Sequence, residues 1–184
     1  MTVIVSLLRG VNVGGHHKIG MEALRALYES LELRNPRTYI QSGNVVFLTK
    51  EHNLAVISRR IEDAIEKNYG FRVGVVVRNT SELSDIVSRN PFAERIGIDP
   101  GKLLVIFLPT DPSTDTREKL HRLKPSPEEI RAEGREVYVY FPDGMGRSKL
   151  LPVLERILKK SGTGRNFNTV TKLLEMAKAL ERSR

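Results

Sequence analysis

The chain contains no cysteine and no tryptophan. Without thiols it forms no disulfide, offers no thiolate nucleophile and builds no cysteine-ligated zinc or iron–sulfur centre. Histidine is also sparse, at four residues. His16 and His17 are adjacent, and side chains of neighbouring residues rarely converge on one ion. No third histidine or carboxylate stands at ligand spacing, so no metal and no cofactor is expected. Long apolar runs are missing too: nothing approaches the roughly 20 residues of a membrane span. Thr2-Val3-Ile4-Val5-Ser6-Leu7-Leu8 lacks a basic leader segment and is followed by Arg9, so it reads as a first strand and not as a signal peptide. A cytoplasmic protein with no membrane partner is expected.

What is present is ordinary globular material with a charge bias. The 184 residues permit one large domain or two small ones, and 40% hydrophobic content supplies a core. The net charge of +8 attracts nucleic acid, phosphorylated metabolites and acidic surfaces. The charges are spread along the chain with no basic tail, so an inert basic surface explains them equally well.

Periodicity organises the chain. Val3 to Leu8 is a near-continuous apolar strand of the buried kind. Met21, Leu24, Leu27, Tyr28 and Leu31 recur at helical spacing. Arg37–Ile40 and Val45–Leu48 read as strands around the turn Gln41-Ser42-Gly43-Asn44. Leu54, Ile57, Ile61, Ala64 and Ile65 mark a second helix, and Phe71–Val77 another strand. Thr80-Ser81 is read as the cap of a short connecting helix, which Asn90-Pro91-Phe92 stops. The order then repeats: strand Leu103–Leu108, helix Pro112–Leu123, a hairpin of Glu129–Ala132 with Val137–Phe141, a helix over Leu150–Leu158 stopped by Gly162, and a short strand Thr163–Asn166. A last helix uses Val170, Leu173, Leu174, Ala177 and Leu180, capped by Asn168 or Thr169. The expected class is α+β: tandem ferredoxin-like (βαββαβ) halves with an extra C-terminal helix. Pro100-Gly101 is the predicted boundary, giving residues 1–99 with the connecting helix and residues 100–184 with the terminal helix.

Three glycine-rich segments carry the candidate ligand-binding residues. Arg9, Asn12, Gly14 and Lys18 lie between the first strand and first helix. Arg147, Ser148 and Lys149 follow Asp143-Gly144-Met145-Gly146, and Arg165 and Asn166 follow Gly162-Thr163-Gly164. Glycine lets backbone amides turn toward a ligand, and a helix start favours negative charge. None of the spacings matches a dinucleotide fingerprint or a Walker loop. Tight turns and helix caps account for many of the same residues. The 143–149 loop is expected to share a sheet end with Pro109-Thr110-Asp111, on the reading that its strand runs parallel to the first strand of its half.

Other motifs give less. Ser42 has no strand-to-helix elbow and no evident base, so no catalytic residue is assigned. Tyr138 and Tyr140 share one face of a strand. Exposed, they would stack on bases; without an RNA-recognition consensus, packing is the favoured reading.

Taken in order, Leu8-Arg9-Gly10-Val11-Asn12-Val13-Gly14-Gly15, Tyr39-Ile40-Gln41-Ser42-Gly43-Asn44-Val45, Phe141-Pro142-Asp143-Gly144-Met145-Gly146-Arg147-Ser148-Lys149-Leu150 and Gly164-Arg165-Asn166-Phe167-Asn168-Thr169-Val170 resemble the domain of unknown function 1697 family of uncharacterised bacterial proteins. The resemblance implies the tandem ferredoxin-like arrangement and brings no activity, substrate or catalytic residue. Phe167 stands where the family is expected to favour tryptophan, which suits a packing role better than one needing an indole N–H. The leading expectation is a non-enzymatic binding protein for an anionic small molecule or nucleic acid. A small enzyme acting on a phosphorylated substrate, with Arg165 and Lys149 stabilising charge, is the alternative, as is a structural or assembly module. Oligomeric state is not legible.

Overall fold

The computed structural model describes residues 1–183. It forms two compact units: Met1–Ser84 together with the chain from Lys172 onward, and Asp85–Thr171. Each unit holds one four-stranded antiparallel sheet in βαββαβ order. The expected tandem ferredoxin-like α+β fold is therefore present, with the extra C-terminal helix.

The first unit runs β1 (Thr2–Leu8), α1 (Met21–Ser30), β2 (Arg34–Tyr39), β3 (Asn44–Thr49), α2 (Leu54–Tyr69) and β4 (Val75–Asn79), followed by α3 (Thr80–Ser88). The strand order is β2-β3-β1-β4. Its central strand β1 is buried from Val3 to Leu8 on both faces, which is why the sequence reads as continuous apolar rather than alternating. Ile4 and Leu8 join Val45, Phe47, Val75 and Val77 under α1 and α2, whose Leu24, Tyr28, Ile57 and Ile61 close this core. Each such side chain contributes roughly 1.5–3 kcal/mol when fully buried. The polar exception in β1, Ser6, meets the Tyr28 hydroxyl at 2.8 Å and donates to the Val45 carbonyl. Burial raises the Tyr28 phenol well above its ordinary pKa, so it remains a neutral hydrogen-bonding group.

The second unit runs β5 (Leu103–Phe107), α4 (Thr114–Arg122), β6 (Glu129–Glu133), β7 (Glu136–Tyr140), α5 (Leu150–Ile157) and β8 (Thr163–Asn166), and α6 (Phe167–Arg182) begins there. The order β6-β7-β5-β8 repeats that of the first sheet. Ile106, Val137, Val139 and Phe141 pack beneath α4 and α5 through Leu120, Leu150 and Leu154. On the opposite face Leu103, Val105, Phe107, Tyr138 and Tyr140 are also buried. The Tyr138 hydroxyl donates to the Ile86 carbonyl at 2.7 Å, and Phe92 lies 6.0 Å from Tyr140. These contacts tie residues 85–95 to the second sheet. Pro100-Gly101 is thus the turn into β5 and not the edge of a compact unit.

Local chemistry moves several boundaries from their sequence-based positions. Asn79, not Thr80-Ser81, caps α3: its side chain accepts from Glu82 N–H while the Glu82 carboxylate accepts from Asn79 N–H, a reciprocal capping box. Asn166, not Asn168 or Thr169, caps α6 by accepting from Asn168 N–H. After α5 the chain turns at Lys159 and Lys160, which take the left-handed conformation. Gly162 serves a different need: a Cβ there would stand 2.6 Å from Ile106 Cγ2.

Gly43 shows the same constraint at the first sheet. Its φ is +70° and an added Cβ would lie 2.7 Å from Leu8 Cβ. Gly43→Ala is expected to cost about 2–4 kcal/mol through positive-φ strain plus displacement of Leu8. Urea unfolding checks this, with Gly10→Ala, where φ is +66° but nothing lies within 4 Å, expected to cost about 1 kcal/mol.

Candidate functional site

Three segments meet at the end of the first sheet where β1 stops. Leu8 N–H donates to the Gly43 carbonyl at 2.9 Å and Arg9 N–H to the Gly74 carbonyl at 2.8 Å. The β2–β3 turn and the entrance to β4 are thereby fixed on either side of the β1 exit. From Gly10 to His17, residues Gly10, Asn12, Gly14, Gly15 and His17 are left-handed. Val13 and His16 pair across the two glycines as a small hairpin. The glycines of this segment therefore form a turn of their own, well before α1, instead of presenting the amides of a helix start.

Asn12 holds this loop in shape. Its Nδ2 donates to the Ile19 and Gln41 carbonyls, each at 2.9 Å, and its Oδ1 accepts from Ile19 N–H at 2.9 Å. All five atoms of this arrangement belong to the loop and the neighbouring turn, so the Asn12 amide is occupied in bracing them. A bracing side chain at φ +57° is a reason for asparagine, which tolerates that conformation. What the loop shows to solvent is Val13, Gly14, Gly15, His16, His17 and Lys18, with Arg9 half-buried beside it. The ring of His17 stacks on Phe71.

The charge at this end is one-sided. No acidic residue occurs in residues 1–21 or in residues 33–50; of their cations Arg9 and Lys18 lie at this end, whereas Arg34, opposite Leu48, and Lys50, next to Thr49, lie at the end where β1 begins. The carboxylates that do approach come from α2: Glu66 and Asp63 pair with Arg72 at 2.9 and 3.8 Å, and Glu62 accepts Val75 N–H.

The second unit distributes its candidate residues differently. β7 is antiparallel to β5, with Tyr140 opposite Leu103. The 141–149 loop therefore lies at the sheet end where β5 begins, opposite to Pro109–Asp111, correcting the parallel reading. Lys102 Nζ donates to the Pro142 carbonyl there, and Asn166 Nδ2 to the Gly101 carbonyl. Ser148 donates to Glu128 and accepts Leu150 N–H. Pro152 lacks an N–H in the same first turn, so the α5 start has few donors left for an anion. Arg147 and Lys149 are exposed.

Arg165 and Asn166 do not act together. They are successive residues of a strand and point to opposite faces. Asn166 caps α6, whereas Arg165 stands opposite Val105 on the face away from α4 and α5. Lys149 leads directly into α5, so one anion does not touch both it and Arg165. Arg165 is 8% exposed and donates to Thr163 Oγ1 and the Gly164 carbonyl, both at 2.8 Å. Burial lowers its guanidinium pKa to about 10, which leaves it charged at neutral pH.

The profile of the family described as Protein of unknown function (DUF1697) matches residues 1–138. The chain belongs to this family. No curated protein matches the sequence. Among solved structures the chain is similar to the conserved bacterial protein SP0830 from Streptococcus pneumoniae, at 22% identity and a TM-score of 0.78 over 97% of this chain and 99% of that one. That likeness establishes the fold.

Sequence reasoning missed an internal correspondence. Arg78 and Asn79 stand opposite Val5 and Ile4; Arg165 and Asn166 stand opposite Val105 and Leu104. Each asparagine caps the helix after the last strand of its unit. Each arginine is buried and donates to the preceding carbonyl. The repeated Arg-Asn pair was visible in the sequence, but its meaning needed the strand register. Among the described residues no group of histidines and carboxylates is placed to hold a metal ion, and no helix is long and apolar enough to cross a membrane.

The geometry separates bracing residues from surface ones. Asn12→Ala is expected to destabilise the protein by about 2–4 kcal/mol, since it leaves the part-buried Ile19 N–H and carbonyl without this partner and puts alanine at positive φ; Lys18→Ala should stay within about 0.5 kcal/mol. Arg165→Ala is expected to cost about 2–4 kcal/mol by stranding its partners, with anion affinity of the folded fraction unchanged. Denaturant titration paired with a binding assay checks both expectations.

Proposed function

We propose that the chain is a non-enzymatic binding protein for an anionic partner of the nucleic-acid class, working in the cytoplasm through the loops at the end of the first sheet. The observation that carries this reading is the acid-free segment 1–21, whose Arg9 and Lys18 flank a loop braced by Asn12. A loop held by the Asn12 hydrogen bonds to Ile19 and Gln41 loses less further conformational entropy when it meets a ligand, so contacts made by Lys18 and its neighbours are expressed as affinity. The net charge of +8 adds a long-range attraction for polyanions. Arg147 and Lys149 supply a second exposed cationic pair on the other unit. The absence of cysteine suits an intracellular setting without oxidative cross-links.

Fluorescence anisotropy with labelled oligonucleotides, titrated at a series of salt concentrations, tests the reading. Binding is expected at low salt with little sequence preference, and log K should fall linearly with log salt as counterions are released. Lys18→Ala is expected to reduce that slope by about 1 without altering stability. No binding at low salt, or a Lys18→Ala slope equal to that of the unaltered protein, would overturn the assignment to this end of the sheet.

A further inference from the structure

The loop at the end of β1 carries a ring stack that the fold does not need. His17 lies over Phe71 with centroids 4.5 Å apart and planes 19° from parallel, and Phe71 in turn meets Tyr69 at 5.9 Å. Phe71 and Tyr69 are half-buried and pack on the first core, whereas His17 is exposed. An imidazole resting one face on a phenyl ring while exposed to water turns its other face outward. It is held there by a left-handed backbone at φ +48° and by the hydrogen bond from Asn12 N–H to the His17 carbonyl. Such a backbone costs energy that a solvated side chain does not return. Lys18 follows immediately and is exposed, and no acidic residue lies in this segment.

Resting on the anion-binding reading above, we infer that His17, stacked on Phe71, is a platform for the planar base of a nucleotide unit, with Lys18 beside it for the phosphate. The arrangement combines the two contacts that sequence-tolerant nucleic-acid binders use: an aromatic face for the base and a cation for the backbone. Bases of a duplex are stacked on each other and offer no free face, so the platform selects single-stranded nucleic acid over duplex. A free mononucleotide shares the same chemistry, and the two sources are separable by experiment. Tyr138 and Tyr140, the other aromatic pair on one strand face, are buried and do not compete for this role.

The test measures binding of a labelled single strand, the same sequence as a duplex, and unlabelled nucleoside monophosphate as competitor. Three proteins are compared: unaltered, His17→Ala and His17→Phe. His17→Ala is expected to weaken single-strand binding about tenfold, leaving duplex binding and the salt slope unchanged. His17→Phe keeps a ring and is expected to stay within about twofold, by the same stacking argument. In the unaltered protein, added strand should move the His17 ring proton resonances upfield, a ring-current signature that a merely electrostatic contact does not give; this readout stands even if a variant folds poorly. Full displacement by the monophosphate at the per-nucleotide affinity of the strand assigns the platform to free nucleotides; weaker displacement assigns it to strands. If His17→Ala binds normally and the ring resonances do not move, while Lys18→Ala still lowers the salt slope, the platform is overturned and the anion-binding reading stands. If no oligonucleotide binds at low salt, both fall.

Discussion

The burial of β1 on both faces and both edges governs where this protein can do anything. Between Val3 and Leu8 every side chain is inside, and the strand is paired with β3 on one side and β4 on the other. Ser6 spends its hydroxyl on Tyr28 and Val45. Chemistry facing solvent is therefore pushed to the ends of the sheet, and the exit at Leu8 is where backbone hydrogen bonds gather three segments. Gly43 is required there because a Cβ would collide with Leu8. The loop that follows is shaped by Asn12 and not by glycine alone. Flexible glycine supplies the left-handed turns, while the asparagine amide selects one conformation from those that glycine allows.

The same constraint acts on the second unit with a different result. Its sheet has the same strand order and the same buried Arg-Asn pair at the end of the last strand. There, however, three of the candidate side chains are absorbed into the fold, and only Arg147 and Lys149 remain exposed. Asn166 caps α6, Ser148 serves the start of α5, and Arg165 is desolvated against its own strand. Polar residues at strand–helix junctions look alike in a sequence whether they cap, brace or bind, because each role needs a short side chain with a donor or acceptor. Removal of the cap or brace is felt in stability, and removal of an exposed cation is felt in salt dependence.

Much of the fold was legible because periodicity reports burial directly. The continuous run Val3–Leu8, the helical spacing of Ile57, Ile61 and Ile65, and the hairpin signal at Glu133-Gly134 all appear as read, and Gly134 is left-handed in the β6–β7 turn. Strand direction was less legible. The β7 pattern says nothing of its orientation, so the 141–149 loop was placed at the wrong sheet end. Caps shifted by one to three residues because Asn79 and Asn166 ended strands as well as starting helices. In the candidate site, Lys18 was recognisable by charge, and the glycines by their type. The stack of His17 on Phe71 was not, since the two residues are far apart in sequence and meet only when the β1 exit and the β4 entrance are pinned side by side.

The central claim is that the ligand surface is the braced loop system at the end of the first sheet. Backbone amide NMR of the isotopically labelled protein, titrated with an unlabelled single-stranded oligonucleotide, tests it most directly. The account predicts shifts concentrated in residues 9–20, 40–43 and 69–74, with Asn12 and Gly43 retaining their unliganded loop geometry. Shifts centred on residues 141–149 or on the α4 and β6 surface, with the 9–20 loop unmoved, would contradict it.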